Sequence, residues 1–310
     1  MDRHVPEPSF IAQYGLRNAI KSRKHPFQRL HKPPIWQHPR LIALNYQTYL
    51  KGLVKQWMHH TKALIPFIER LVQEHDNEVR CDGYVENLNE LLNKLKLTFD
   101  TVTPDDQIEA YALDVGQKVS RWNDAQWQKT LKSVLGVNAY SPDKFLESHI
   151  KAFVKENTLL VTKLKEDAYH DVAQVITAGI RRGDRAKTIS KELLNGGDLE
   201  PGRFRKVSTR ATLIARDQVG KLNGELTMNR QITMGVTKYI WRTALDERVR
   251  GNPSGEYPKA IPSHWDREGK TYFWSKPPEG GHPGEAIRCR CYAEPVFDEE
   301  TLAGEVNDNP

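Results

Sequence analysis

Between Phe145 and Ile180 apolar residues return at helical intervals with no proline to interrupt them. Val154, Val161, Leu164, Ala168, Val172, Val175 and Gly179 stand three, four or seven positions apart. A continuous stripe at that spacing is a long helix buried along one side, and it makes the chain mainly α. Shorter segments extend the pattern. From about Leu41 to Leu97 apolar residues such as Leu50, Leu53, Val54 and Trp57 again fall three or four apart, with Pro66 placed to end or kink the first helix. Asp105 to Leu135 reads as helix behind Pro104, Ser141-Pro142-Asp143 opens the long one, and Arg182-Gly183-Asp184 makes a turn with Asp184 as N-cap. Ile189 and Leu193 mark a short helix stopped by Gly196-Gly197. Lys206 to Met234 is helical again, behind a basic linker around Pro201-Gly202-Arg203.

After Gly235 the pattern changes. Thr237 to Thr243 and Thr271 to Trp274 are rich in β-branched and aromatic residues and read as short strands, while 251–263 and 277–284 are rich in glycine and proline and read as loops. The expected fold is a helical body followed by a small C-terminal α+β unit, behind an extended, proline-rich basic arm. Four blocks follow in chain order: the arm at 1–40, a helical docking region at 41–148, the C-terminal domain at 149–297 and an acidic tail at 298–310.

Charge is segregated along the chain. The net charge of +6 resides entirely in residues 1–40, where eight basic residues face only Asp2 and Glu7, and where six prolines break any regular element. Such an arm is expected to contribute little to an intramolecular core and to order on a partner through Arg17, Lys21, Arg23, Lys24, Arg29 and Lys32. Residues 201–250 hold eleven basic against four acidic side chains, and the stretch from Ala293 onward holds six acidic and no basic ones. Acidic or polyanionic partners suit the basic segments; a solvated surface is the alternative. With 38% hydrophobic and 28% charged residues and a mean hydropathy of -0.66, the chain has no run of roughly 18 uncharged apolar residues to span a bilayer. No membrane partner is expected. The start MDRHVPEPSF lacks the features of a secretory signal, so a cytosolic site of synthesis is expected. Three cysteines are too few for a disulfide scaffold, and Cys81 reads as an ordinary, partly buried thiol.

Several phrases occur in one order: Glu156-Asn157-Thr158-Leu159-Leu160; Ala215-Arg216-Asp217-Gln218; Tyr239-Ile240-Trp241-Arg242-Thr243 leading to Asp246-Glu247-Arg248-Val249-Arg250; then His264-Trp265, Gly269-Lys270, Pro277-Pro278, Gly281-His282-Pro283-Gly284 and Cys289-Arg290-Cys291. The ordered set resembles the Mu-F-like minor head proteins, also called phage head morphogenesis proteins, over roughly residues 150–297. One departure is visible, since thirteen residues, Gly251 to Ser263, separate the Arg-x-Arg phrase from the histidine that usually follows it closely. The resemblance implies a minor structural head protein of a tailed bacteriophage, a virion component near the portal vertex that acts in head morphogenesis and in handling or ejection of packaged DNA. Its implied partners are the portal protein, the major capsid protein and double-stranded DNA bound without sequence preference. It implies no enzymatic activity and requires no cofactor.

Three constellations carry chemistry. Cys289 and Cys291 point the same way if they lie on a strand, and with His264, His282 or Asp246 they offer a structural zinc its thiolate and imidazole ligands; a packed, metal-free pair is the alternative. Asp246, Arg248 and His264, with Arg250, suit a nuclease in which His264 moves a proton and arginines hold a phosphate, but equally suit an internal salt-bridge network. Arg203, Arg205, Lys206, Arg210, Arg216 and Lys221 could contact DNA phosphates. Trp265, Tyr272, Phe273 and Trp274 would either stack on bases or form the core of the C-terminal unit.

Overall fold

The computed structural model describes residues 32–77, 82–136, 144–194 and 202–297. Among them run seven α-helices: α1 (Arg40–Ala63), α2 (Ile65–Asn77), α3 (Asp82–Val102), α4 (Asp105–Leu135), α5 (Lys144–Arg181), α6 (Ala186–Leu194) and α7 (Gly202–Thr233). Three strands follow, β1 (Lys238–Arg242), β2 (Thr271–Phe273) and β3 (Tyr292–Pro295), with a 3-10 turn at Trp265–Arg267. The expected fold class, mainly α with a small C-terminal α+β part, is the observed one. Pro66 does end the first helix: α1 stops at Ala63, and the proline takes a first-turn place in α2, where a missing N–H costs nothing. α4 begins directly after Pro104 with Asp105 and Asp106 in its first turn, where carboxylates favour the positive end of the helix dipole. The C-termini of α4 and α7 each pass into a glycine with positive φ, Gly136 at 73° and Gly235 at 83°. At the second, Gly235 N–H reaches Ile232 O (2.8 Å) and Val236 N–H reaches Gln231 O (2.9 Å), closing the α7 carbonyls before the chain turns into β1. The stretches proposed as stop signals at Gly196-Gly197 and as a helix start at Ser141 to Asp143, together with Cys81 and the tail beyond Phe297, lie outside the described residues.

The chain groups into two compact units, one of residues 1–43, 114–153 and 217–310, the other of 44–113 and 154–216. Among the described residues of the second unit the only regular elements are helices, and buried polar contacts pin them. Trp57 Nε1 donates to Thr103 Oγ1 (2.9 Å), Tyr46 OH donates to Asn157 Oδ1 (3.0 Å), and the buried Lys165 ammonium reaches Asp100 (2.8 Å) and the Thr103 carbonyl (3.2 Å). Arg182 holds both Asp184 (2.9 Å) and Glu192 (2.9 Å) at the turn after α5.

The first unit holds the sheet. β1 lies between β2 and β3, antiparallel to both, with Tyr239 opposite Tyr272 and Pro295, and Trp241 opposite Ala293. Alternation along β1 turns Tyr239 and Trp241 inward to meet Ile232, Trp274, Cys291 and Ala293. Helix α7 is tied to this layer by Gln231, whose amide donates to Ala293 O (2.9 Å) and accepts from Trp274 Nε1 (3.1 Å). A second cluster joins Trp127, Leu131, Val134 and Leu135 of α4 to Met234, Val236, Phe297 and Trp36. Between α4 and α7 runs a buried polar seam: Asn123 bonds Asn223 (3.1 Å) and Thr227 (2.8 Å), and Arg230 bonds Asn123 (2.9 Å) and Asp124 (2.9 Å).

Trp36 corrects one expectation. The end of the basic arm does contribute to a core: the Trp36 side chain is 4% exposed, Gln37 N–H donates to Gln126 Oε1 (3.3 Å), and Trp122 Nε1 donates to Gln37 O (3.2 Å). Indole burial outweighs the local preference for extension, since removing an aromatic of that size from water is worth several kcal/mol. Of the six arm cations proposed for docking, only Lys32 lies within the described residues, and it is exposed.

Candidate metal centre

The loops after β1 are assembled around Asp246. Its carboxylate takes both arms of the Arg290 guanidinium and the Arg248 N–H (3.1 Å), and its carbonyl accepts from Asn252 Nδ2 (3.0 Å). The paired arginine holds the Asp246 carboxyl below the usual carboxylate range, against a smaller opposing effect of burial. The thirteen-residue departure then closes on itself, because His264 N–H and Trp265 N–H both donate to Arg250 O (3.0 and 2.9 Å). Arg250 and His264 are therefore neighbours in space despite their separation in sequence, the insertion forming a loop with joined ends. Arg250 also donates to Ile287 O (3.0 Å), fastening that neighbourhood to the segment that carries the cysteines.

That segment is pressed against α7. Arg288 takes a left-handed φ of 60°, and its N–H is held by Asp217 Oδ1 (3.0 Å). Pro283 and Gly284 cross the helix at Gly224, where a methyl group would come within 2.8 Å of Pro283 O and 3.3 Å of Gly284 Cα. One turn earlier Gly220 faces Cys289 O at a looser 3.8 Å. Cys289 and Cys291 lie in the extended approach to β3 and not on the strand itself, yet both sulfurs converge on one nitrogen. His264 Nδ1 is 3.6 Å from Cys289 Sγ and 3.5 Å from Cys291 Sγ, and the three donor atoms lie within 4.8 Å of one another.

The donor set fits a zinc ion. Two thiols and an imidazole nitrogen supply three of the four ligands of a tetrahedral site. Contact with the Cys291 thiol holds Cys289 well below the ordinary thiol range, helped by His264 and by the Gly284 N–H and opposed by burial. The same contact and burial push Cys291 well above it. A metal would bind the sulfurs as thiolates. His264 is buried edge-on to Trp241 (5.2 Å), with its Nε2 lacking a hydrogen-bond partner. Arg267 covers the other side of the Trp241 ring (4.9 Å). The fourth residue proposed from sequence is placed otherwise: His282 is buried against Trp274, and its Nδ1 bonds Tyr239 OH (2.8 Å).

The remaining sequence-predicted residues separate. Asp246 bonds both Arg248 and Arg290, whereas His264 Nδ1 faces sulfur. Trp274 is buried and Tyr272 packs on the same core cluster, while Phe273 stays exposed under Lys238 (5.4 Å). In α7, Arg205, Lys206, Arg210 and Arg216 are exposed, with Arg210 paired to Asp167 (2.5 Å); Lys221 is half-buried and paired to Asp217 (3.0 Å). Arg203 lies on the first turn of α7. Sequence reasoning assigned no role to Arg290, Gly224 or His38. The Gly-x-x-x-Gly spacing of Gly220 and Gly224 was the available signal of a backbone approach to a helix.

Residues 170–294 match the family described as Phage Mu protein F like protein. That segment of the chain is similar to Mu protein F. It contains β1, β2 and all but the last residue of β3, the Asp246 to Arg290 pair and the Cys-His cluster. An uncharacterized protein of Haemophilus influenzae is 26% identical to the chain over 262 residues, 82% of this chain and 53% of that protein. The chain therefore spans about half the length of this curated relative. No solved structure matches it. Among the described residues, no helix is long and apolar enough to cross a membrane.

Proposed function

We propose that the chain is a minor structural protein of a tailed-phage head, a virion component near the portal vertex that takes part in head morphogenesis. The observation that carries this reading is the Mu-F-like match over residues 170–294. The chemistry of the site supports a structural role: Asp246, the carboxylate that a nuclease would need, is committed to Arg290. In this proposal the portal protein and the major capsid protein are the binding partners, with Arg17, Lys21, Arg23, Lys24, Arg29 and Lys32 as arm contacts. Double-stranded DNA is bound without sequence preference by the exposed cations of α7. Cys289, Cys291 and His264 hold a structural zinc that fastens the loops to the sheet. Reconstruction of the particle without imposed symmetry tests the reading. Density for the α7 and three-stranded layer is expected at the portal vertex, and its absence from purified, DNA-filled particles would refute the assignment.

A further inference from the structure

The three donors at the candidate metal centre leave one tetrahedral position to fill, and the strap at residues 33–39 passes beside it. His38 Nε2 lies 2.5 Å from the carbonyl oxygen of Arg290, the residue between the two cysteines. A carbonyl only accepts, so Nε2 carries a proton, and in the neutral ring Nδ1 keeps its lone pair. This is the tautomer of a histidine that binds metal, with its second nitrogen oriented by a backbone carbonyl. The geometry points to His38 as the fourth ligand of the centre, binding through Nδ1. The inference rests on the Cys289, Cys291 and His264 site proposed above and replaces His282 in the ligand set.

Two observations support it. The backbone just before His38 is anchored near the Cys-Arg-Cys turn, since Trp36 is buried in a core cluster and Gln37 is bonded through both its N–H and its C=O. The competing histidine has its Nδ1 on Tyr239 OH and its ring against Trp274. His38 stands outside the 4.8 Å cluster of the other three donors, so coordination requires its side chain to swing inward while Trp36 and Gln37 keep their contacts. His38 lies far outside the matched segment 170–294. The N-terminal strap would thus complete a centre whose other ligands come from the other end of the chain.

The test uses the full chain labelled with 15N-histidine, recorded by long-range 1H–15N correlation before and after one equivalent of Zn²⁺. Expected are metal-induced shifts at Nδ1 of His264 and of His38, the latter assigned by its loss in His38→Gln, with His282 unmoved. Competition with a chromophoric chelator should show His38→Ala binding zinc on the order of 10–100-fold more weakly. A His264 shift with a silent His38 would overturn the inference and leave the three-residue site intact. So would a His282 shift in its place, or weakened binding in His38→Ala with no movement of the wild-type His38 Nδ1, which would make it a positioning residue only. If the wild-type chain retains no zinc and no histidine shifts, the site and the inference fall together.

Discussion

Replacing Gly220 and Gly224 one at a time by alanine asks how tightly the Cys-bearing loop presses on α7. In a helix interior, alanine is favoured over glycine by about 1 kcal/mol because it loses less backbone entropy on folding. At Gly220 the new methyl meets Cys289 O at 3.8 Å, an ordinary contact, so the gain should survive. At Gly224 it would sit 2.8 Å from Pro283 O and 3.3 Å from Gly284 Cα, both backbone atoms that cannot swing away. Overpacking of this kind costs about 1–3 kcal/mol, which exceeds the helix gain and leaves a net loss of about 1 kcal/mol. The two variants should therefore differ by about 2 kcal/mol in opposite directions around the parent, or about 4–8 °C in melting temperature at about 2–4 °C per kcal/mol. Differential scanning calorimetry, with near-UV circular dichroism of the tryptophans as the local probe, measures this. Equal upward shifts at both positions would show that Pro283 and Gly284 do not rest on the helix, and the account of how the cysteines are placed would fail.

Further outcomes are expected. Trp36→Ala should cost about 3–5 kcal/mol in urea unfolding because it empties a buried indole site, while deletion of residues 1–31, which removes Arg17, Lys21, Arg23, Lys24 and Arg29, should reduce co-sedimentation with phage heads. Asp246 has a folded-state pKa below its unfolded value of about 3.9, so the stability it contributes is complete above that value and is lost as pH falls through the lowered one; Asp246→Asn should flatten this acid limb in a pH series of melting curves, and an unchanged limb would assign it to other carboxylates. Reversal of Arg205, Lys206 and Arg210 to glutamate should lower duplex affinity and flatten its salt dependence by about 0.9 in log–log slope for each phosphate that is no longer engaged, with Arg210 counting least because Asp167 already pairs it. Binding that is equal to the parent at every salt concentration would exclude this face from DNA contact.

The helices were legible because their signal is local. The heptad-like returns from Val154 to Gly179, Pro104 before α4, and Pro66 between α1 and α2 each act within one or two turns, and the structure places helices and breaks accordingly. β1 and β2 were legible from their β-branched and aromatic residues. The grouping of the Cys-Arg-Cys phrase with His264 was readable as residue types at a plausible spacing, but the position of the metal donors was not. It depends on the left-handed Arg288, on Asp217 and Gly224 of α7, and on a thirteen-residue loop whose ends meet at Arg250 O. Those are contacts between distant segments, and a periodicity carries no information about them. His282 shows the limit well: its chemistry suits zinc as well as that of His264, and only the position of Tyr239 OH separates the two. Trp36 shows it from the other side. A proline-rich, basic context predicts an extended segment, and the segment is extended, but one aromatic side chain found a core formed far along the chain.

The sharing of one cluster by Trp36, Trp127, Val236 and Phe297 has a consequence for the timing of synthesis. The strap and the C-terminal end of α4 are synthesised well before Phe297, which covers them. At an elongation rate of about 5–20 residues per second, Trp36 waits on the order of 13–50 s before Phe297 is polymerised. Contacts of such long sequence separation form late, since the entropy of loop closure opposes them until burial is complete. During that interval Trp36 and Trp127 remain without Phe297, their partner across the cluster, so chaperone occupancy of stalled nascent chains should persist until the chain has passed Phe297 and fall abruptly thereafter.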